Sequence, residues 1–392
     1  MELDKYISLY YENVTAHNAK QVVDGFNRQW SNVIGYMIDE TPEHHSKYGL
    51  ALVIFSVAIF ESSSTTEQTI KHLADLIEEY DKKESVKYKF GIKQSLFFNL
   101  GSCWHKLGTL YDGMAIDAFK RYIYYLIVQS SNTSYHPTAY AFKKCTTFLY
   151  QSLINDQLNI SSPVTFNDPF DCPIRELLNN DDDVSYLIRQ AYRDCLKIAC
   201  FISNDKLPYL NESNEVIREK KHDNDVDEYL NELMWAHYAD SHRGICIKYK
   251  FPGILSILGS AKSNKVAYFK DVKYSDNDLS KYSSKDSITL EDAFFLKGEQ
   301  WEYENELRYL YFDLEGDGEY GTVNAPNCIE AIYFGMRCPE SDRRTIYNIM
   351  KDKKLITYDL NGVIKEEKPV QFYQMKVDKS HFGQIKVGDY SI

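Results

Sequence analysis

At 392 residues the chain is too long for one ordinary domain and points to two or three, and its 44% apolar content is that of a soluble globular protein. A formal charge of −12 argues against a protein that coats nucleic acid non-specifically, although a local basic groove would survive it. Eight scattered cysteines with no C-x-x-C pair argue against a zinc ribbon and a disulfide framework.

Met1 is followed by Glu2, Asp4 and Lys5, with no apolar run suited to a signal peptide. The longest apolar run, Leu50 to Phe60, is broken by Ser56 and is too short to span a bilayer. The expectation is a cytoplasmic protein with reduced thiols and no membrane partner.

Residues 1–135 read as helical, with Pro42 their only proline. Leu9, Val14, Val22, Phe26, Trp30 and Ile34 form one apolar stripe. Leu50–Phe60 is apolar almost all round, as a helix buried between neighbours must be. Ser62–Thr66 offers N-cap residues for a helix over Gln68–Tyr80. Phe97-x-x-Leu100-Gly101-x-x-Trp104, then Gly108, Ala115, Phe119 and Tyr122, describe two helices joined by a turn. Gly101 would let them approach closely and Gly108 would end the first. The pattern resembles a tetratricopeptide unit with a lengthened turn, and a generic antiparallel helical hairpin accounts for it equally. Either way this region is expected to bind a protein partner or a second copy of the chain.

Ser130–Pro137 shifts to Ser, Asn, Thr and Pro and marks the expected boundary between a helical domain, 1–135, and an α+β domain, 136–392. The second domain opens with Tyr140-Ala-Phe142 and Lys143-Lys144, then a helix over Phe148–Asn155 and a strand over Gln157–Ser161. Two prolines with Asn and Asp make the loop Ser162-Pro163…Phe166-Asn167-Asp168-Pro169-Phe170-Asp171 rigid turn chemistry. A helix from Val184 to about Ala199 and a short strand over Cys200–Ile202 follow, and Asn204–Asp227 reads as a solvated insertion.

Met234 to Phe251, MWAHYADSHRGICIKYKF, is the densest stretch. Val226, Tyr229, Leu230, Leu233, Met234 and His237 recur at helical spacing. A polar corner at Ala239–Arg243 and Gly244 then yields to the alternating strand Ile245, Ile247, Tyr249, Phe251, which puts Cys246 opposite the core face. Strand pairs at Val266-x-Tyr268 and Val272-x-Tyr274 come next, then a capping box Thr289-x-x-Asp292 opening a helix over Ala293–Lys297. Arg308–Phe312, Ile329–Phe334, Ile356–Tyr358 and Val370–Met375 are strands, and Pro339 opens a helix to about Lys351. Helices and strands without strict alternation give an α+β fold with a mixed or antiparallel sheet.

Three constellations carry chemistry. In Trp301–Arg308 a strand reading, preferred because Tyr303, Leu307, Tyr309 and Tyr311 are strand formers, places Glu302, Glu304, Glu306 and Arg308 on one face. Carboxylates so close raise the pKa of at least one unless Arg308 or a ligand offsets the repulsion, and a general base or a stabiliser of a developing cation needs that environment. His237 and Tyr238 present a polar pair at a corner, or fix that corner by packing; H-x4-H-x3-C through Cys246 fits no zinc pattern. Asn167, Asp168 and Asp171 form turns or bind a ligand. No phosphate loop or nucleophile elbow is present.

Met-Trp-x-His-Tyr-Ala-Asp-x-His-x-Gly before a strand, with the Phe166–Asp171 segment upstream and Trp301-x-x-Glu304-x-Glu306-x-Arg308 downstream, resembles the bacterial domain-of-unknown-function family numbered 2971 over about Ala139 to Phe334. The order of these parts is also similar, remotely, to ADP-ribosyltransferases. That resemblance implies an α+β domain that takes NAD and transfers ADP-ribose to a protein or nucleic acid. It implies Glu306 as catalytic glutamate, Glu304 orienting the acceptor, and His237 and Tyr238 against the ligand. Lys143, Trp235, Asn167, Asp168, Trp301 and Arg308 would surround the cofactor. Lys143-Lys144 stand where the family would have an arginine, and lysine lacks the bidentate fork for a diphosphate. A helical module joined to such a domain is the plan of toxin-like effectors, including those of bacterial antiphage defence. Two alternatives stay open: a nuclease holding Mg²⁺ on Asp168, Asp171, Glu304 and Glu306, and a non-catalytic ligand sensor.

Overall fold

The computed structural model describes residues 19–21, 23–24, 42–62, 65–83, 89–130, 138–168, 171–172, 183–203, 209–210, 216–217, 231–251, 264–275, 294–358, 363–380 and 385–390. The amino-terminal helices are α1 (Pro42–Glu61), α2 (Glu67–Asp81), α3 (Phe90–Lys106) and α4 (Asp112–Ser130). Thr66 caps α2, its hydroxyl accepting from the Thr69 amide at 3.3 Å. The expected hairpin is α3 and α4: Gly108 ends α3 at φ 114°, and a Cβ on Gly101 would press into the Phe119 ring. The stripe Leu9–Ile34 and the insertion Asn204–Asp227 fall outside the described residues, apart from two short strands, β4 (Tyr209–Leu210) and β5 (Val216–Ile217).

The sheet-rich part runs β1 (Thr138–Lys143), α5 (Thr147–Ile154), β2 (Gln157–Ser161), α6 (Asp183–Cys195) and β3 (Leu196–Ile202). Helix α7 (Glu232–His237) leads into β6 (Ile245–Lys250), and β7 (Lys265–Asp271), β8 (Lys273–Ser275) and β9 (Leu296–Gly298) follow. The chain continues through β10 (Glu306–Asp313), β11 (Tyr320–Asn324), β12 (Ile329–Phe334), α8 (Glu340–Met350), β13 (Lys354–Tyr358), β14 (Ile364–Pro369), β15 (Gln371–Val377) and β16 (Ile385–Asp389). The main sheet is mixed, in the order β11-β2-β3-β1-β6-β12-β15-β16, with β10 between β3 and β7. This is the expected α+β architecture.

Three local expectations are corrected. Helix α6 stops at Cys195 rather than near Ala199, because Leu196–Ile202 pairs with β10 along its whole length and is buried at all but one position. The helix expected through Lys297 is a turn at Phe294–Phe295 and then β9, paired in parallel with β8; the capping box at Thr289–Asp292 lies outside the described residues. Cys246, expected on an outer face, is fully buried, because Trp235 and Met234 cover that side of the sheet.

The helices do not stand apart from the sheet. One apolar cluster runs from Leu52 and Phe55 through Phe97, Phe119 and Ile127 into Ile198, Tyr268, Leu310 and Phe312. Tyr124 of α4 meets Phe312 of β10 with ring centroids 6.0 Å apart. A second cluster packs α5 and α8 through Leu149, Leu153, Ile346 and Met350 onto Ile247, Tyr309 and Ile332. Apolar burial on this scale contributes roughly 25 cal/mol per Å².

Candidate functional site

Strand β3 is where the sheet opens. One edge pairs with β10 from Leu196↔Phe312 to Ile202↔Glu306. The other meets β1 at the single pair Tyr140↔Ile202 and β2 at the single pair Ser161↔Ile198. Between those two points the edges of β1 and β3 part, and the gap holds a cavity of about 210 Å³. Its walls include Tyr140, Phe142 and Lys143 from β1, Asn159 and Ser161 from β2, Cys200 from β3, and Phe166, Asn167 and Asp171 from the loop after β2. Tyr238, Lys297, Glu304 and Glu306 complete it. A second cavity of about 160 Å³ shares Lys143, Asn159, Ala199 and Phe201 with the first.

Trp301–Arg308 is not one strand. Glu299–Glu304 is a 3₁₀ helix, Asn305 turns left-handed at φ 44°, and β10 starts at Glu306. The common face expected for Glu302, Glu304, Glu306 and Arg308 therefore does not form, and Glu302 is exposed. The kink nevertheless returns Glu304 to Glu306, and both grip Lys297. Its Nζ lies 2.6 Å from Glu304 Oε2, 3.1 Å from Glu306 Oε2 and 3.4 Å from Asp171 Oδ2.

Arg308 is wholly buried and fully satisfied. Its Nε and Nη2 donate to the Glu306 carboxylate at 2.8 and 3.0 Å, and Nη2 also donates to Asp171 Oδ1 at 2.6 Å. Nη1 donates to the Phe294 carbonyl at 2.7 Å and to Cys172 Sγ at 2.9 Å, with the Phe166 ring over the guanidinium. Every donor of the fork has an acceptor, which is the condition for burying a guanidinium.

Three carboxylates share two cations, so the cluster carries one surplus negative charge. The surplus falls on Glu304. Burial, with Glu306 adding to it, pushes the Glu304 carboxyl above the usual range despite the bonds from Lys297 and Tyr238. Glu306 goes the other way: burial opposes its charge, but Arg308 and Lys297 pull it down to about 2. Lys297 remains protonated because Glu306, Asp171 and Glu304 outweigh its desolvation. Lys143, at the cavity wall, is pulled below the usual lysine range by burial.

The signature stretch positions Tyr238. Its hydroxyl donates to Glu304 Oε1 at 2.6 Å, and burial, then that bond, raises its own pKa. After α7 the residues Asp240, Ser241 and His242 are all left-handed, at φ 50°, 53° and 68°, which costs about 1–2 kcal/mol each for residues with a Cβ. The turn is held by Ser241 N to Ala236 O at 3.3 Å, His242 N to Trp235 O at 3.1 Å and Gly244 N to Ala239 O at 2.7 Å. Trp235 is fully buried, edge-on to Phe142 and stacked on His242. A Cβ on Gly244 would collide with the Lys143 carbonyl, so glycine lets β6 close on β1.

Of the residues expected at a site, the structure gathers Glu304, Glu306, Tyr238, Lys143 and Asn167 around the cavity. Arg308 stands behind Glu306, and Trp301 stands beside Lys297 with its ring centroid 5.1 Å from Nζ. Trp235 is core, His237 is exposed and off the cavity wall, and half-buried Asp168 does not line it. Sequence reasoning missed Lys297. The clue was arithmetic: three acidic side chains crowded on one arginine demand a second cation, and a lysine stands just before Trp301. Cys200, Asn159 and Ser161 carried no such signal, because the parting of β1 from β3 brings them in.

Among known families, the model for a "Protein of unknown function (DUF2971)" matches residues 234–309. The match spans the left-handed corner, Tyr238, Lys297, Glu304, Glu306 and Arg308, and stops short of the loop with Phe166 and Asp171. No curated protein and no solved structure matches the chain.

Proposed function

We propose that this chain is an ADP-ribosyltransferase-like enzyme that breaks the nicotinamide–ribose bond of NAD in the gap between β1 and β3 and passes ADP-ribose to a protein or nucleic acid. The observation that carries the reading is Glu304: a carboxylate at a cavity wall, short of positive charge, held by Tyr238 on one oxygen and Lys297 on the other. Breaking a glycosidic bond leaves positive charge on the sugar carbon. An anion whose desolvation is under-compensated gains most when such a charge develops beside it, and that difference between ground and transition state is catalysis.

Glu304 takes the role that the sequence pattern gave to Glu306, which is committed to Arg308. Tyr238 and Lys297 fix its rotamer, and Phe142, Phe166 and Tyr140 supply apolar walls for a planar ring. The Mg²⁺ nuclease reading is weaker on donor chemistry. The point where Asp171, Glu304 and Glu306 converge is filled by the Lys297 ammonium, and no metal-holding group of His, Cys, Asp or Glu occurs among the described residues. An effector role with a protein partner or a second copy of the chain on the amino-terminal helices, tetratricopeptide-like or not, belongs to the same proposal, as does a cytoplasmic location. No helix among the described residues is long and apolar enough to cross a membrane.

The test is label transfer. Full-length protein with radiolabelled NAD and cell extract should label a macromolecule, and Glu304→Gln should lose about 10²–10³-fold of that activity while melting like the wild type. A wild type that neither consumes NAD nor gains Tm in its presence would sink the reading. Equal activity in Glu304→Gln would remove Glu304 from it.

A further inference from the structure

Two connections wrap the Gly244 corner from opposite sides. Lys143, ending β1, and Phe334, ending β12, both pair with Ile245. Gly335 N donates to Gly244 O and Arg337 N to His242 O, each at 2.9 Å, and a Cβ on Gly335 would collide with the His242 carbonyl. Packing this tight brings Cys145, just beyond β1, and Cys338, just beyond β12, to the same corner, where each thiol perturbs the ionisation of the other. Cys145 Sγ lies 4.0 Å from the Arg243 carbonyl, and Cys338 Sγ lies 3.8 Å from that of Pro339. Cys145 is half-buried, whereas Cys338 is 5% exposed in the apolar cluster that Cys145 flanks. One reachable sulfur backed by one buried sulfur is the layout of a reacting thiol and its resolving partner.

We propose that Cys145 and Cys338 form a peroxide-reactive thiol pair that closes to a disulfide, joining the β1–α5 connection to the β12–α8 connection beneath the Gly244 corner. The Cys145 thiolate attacks one oxygen of hydrogen peroxide, the O–O bond breaks, and the departing hydroxide takes a proton to become water. The resulting sulfenic acid is attacked at sulfur by Cys338. The S–O bond breaks, and the Cys338 proton leaves with that hydroxide as a second water. Two thiols have then lost two electrons and two protons, and the peroxide has become two waters.

The charged surroundings fit the order of events. Cys338 draws the Cys145 thiol down, against burial and the carboxylates of Asp342 and Asp240, and Tyr150 acts in the same direction as Cys338. Cys145 in turn, with burial, pushes the Cys338 thiol up, and Arg343 offsets this only in part. Of the two, Cys145 ionises the more readily and is the half-buried one, so it reacts first and Cys338 resolves. This site is independent of any activity in the gap.

Full-length protein treated with a small excess of hydrogen peroxide, quenched in acid, alkylated and digested without reductant tests it. The expected product is a Cys145–Cys338-linked peptide that dithiothreitol releases, while the other cysteines remain alkylated. In Cys338→Ser, Cys145 should instead stop as a sulfenic acid trapped by dimedone, and Cys145→Ser should give neither product. Both thiols still free after other cysteines have oxidised, or Cys145 bridged to a different cysteine, would overturn the proposal. So would Cys145 driven to the sulfinic acid in wild type with no linked peptide.

Discussion

Along β3 one edge is closed and the other open, and the charges divide the same way. Toward β10 each residue from Leu196 to Ile202 has a partner, and behind that ladder Arg308 and Glu306 satisfy one another. Toward β1 and β2 the strand is pinned only at Ile202 and Ile198, and Glu304 faces the space between. Glu304 and Glu306 touch the same Lys297 ammonium, yet their carboxyls move in opposite directions. Burial alone therefore does not decide what a charge is for. A buried charge whose partners are complete holds the fold; one left with a surplus at a cavity wall is free to answer a ligand.

Removing the closed side's cation should have the largest effect. Arg308→Leu leaves Glu306 and Asp171 with Lys297 as their one remaining cation in this cluster, which Glu304 also claims, and breaking a buried pair from one side costs about 3–5 kcal/mol. Urea unfolding of the variant is expected to show that loss in the midpoint with little change in slope. A loss under about 1 kcal/mol, the range of an exposed pair, would erase the distinction between the two edges.

The next effect sharpens the comparison through pH. Glu306 has a folded pKa near 2, below its ordinary value of 4.5, so its contribution is fully present above pH 4.5 and is lost as pH falls toward 2. That difference corresponds to about 3 kcal/mol. For Glu304 the sign reverses: its folded carboxyl is raised, so its stabilising contribution is present below the ordinary value and lost as pH rises through the folded one. Thermal melts between pH 2 and 8 should show Glu306→Gln losing the acid limb and stability at neutral pH. Glu304→Gln, which removes the surplus charge, is expected to match or exceed wild type at neutral pH. Parallel curves for the two variants would contradict the division.

How much of this the sequence disclosed follows from the range of the interactions involved. Strands β2 and β12 appear at Gln157–Ser161 and Ile329–Phe334 as expected, because alternation and bounding turn residues are local. The helix–corner–strand reading of Met234–Phe251 also holds, since Gly244 and the polar run announce it. What failed was tertiary. Nothing near Trp301 says that Asn305 turns left-handed, so a strand pattern was read across a 3₁₀ helix; Glu304 and Glu306 meet because Lys297 draws them together. His237 and Tyr238 are neighbours in sequence, but a short helix sends neighbours in different directions, and of the two only Tyr238 lines the cavity. The gap itself comes from the single pairings of β3 with β1 and β2, which no window of sequence contains.

The smallest expected effect isolates one hydrogen bond on the open side. Tyr238→Phe keeps the ring, and with it the packing, and removes the hydroxyl that donates to Glu304 Oε1 at 2.6 Å. A bond to a charged group is worth about 1.5–3 kcal/mol, so roughly a 10- to 100-fold loss in NAD-dependent activity is expected if that bond acts in the transition state, with the fold retained. That bond lowers the Glu304 pKa, so its removal should move the acidic limb of the activity profile to higher pH. A purely structural tyrosine would not produce that movement, which makes the pH profile the decisive reading. His237→Phe serves as the control: it alters the neighbouring aromatic, exposed and off the cavity wall, and should leave both rate and profile where they were. If His237→Phe shifts the limb and Tyr238→Phe does not, the residue that the corner presents to Glu304 has been misidentified. The three left-handed residues that aim Tyr238 would then have no role in the chemistry of the gap.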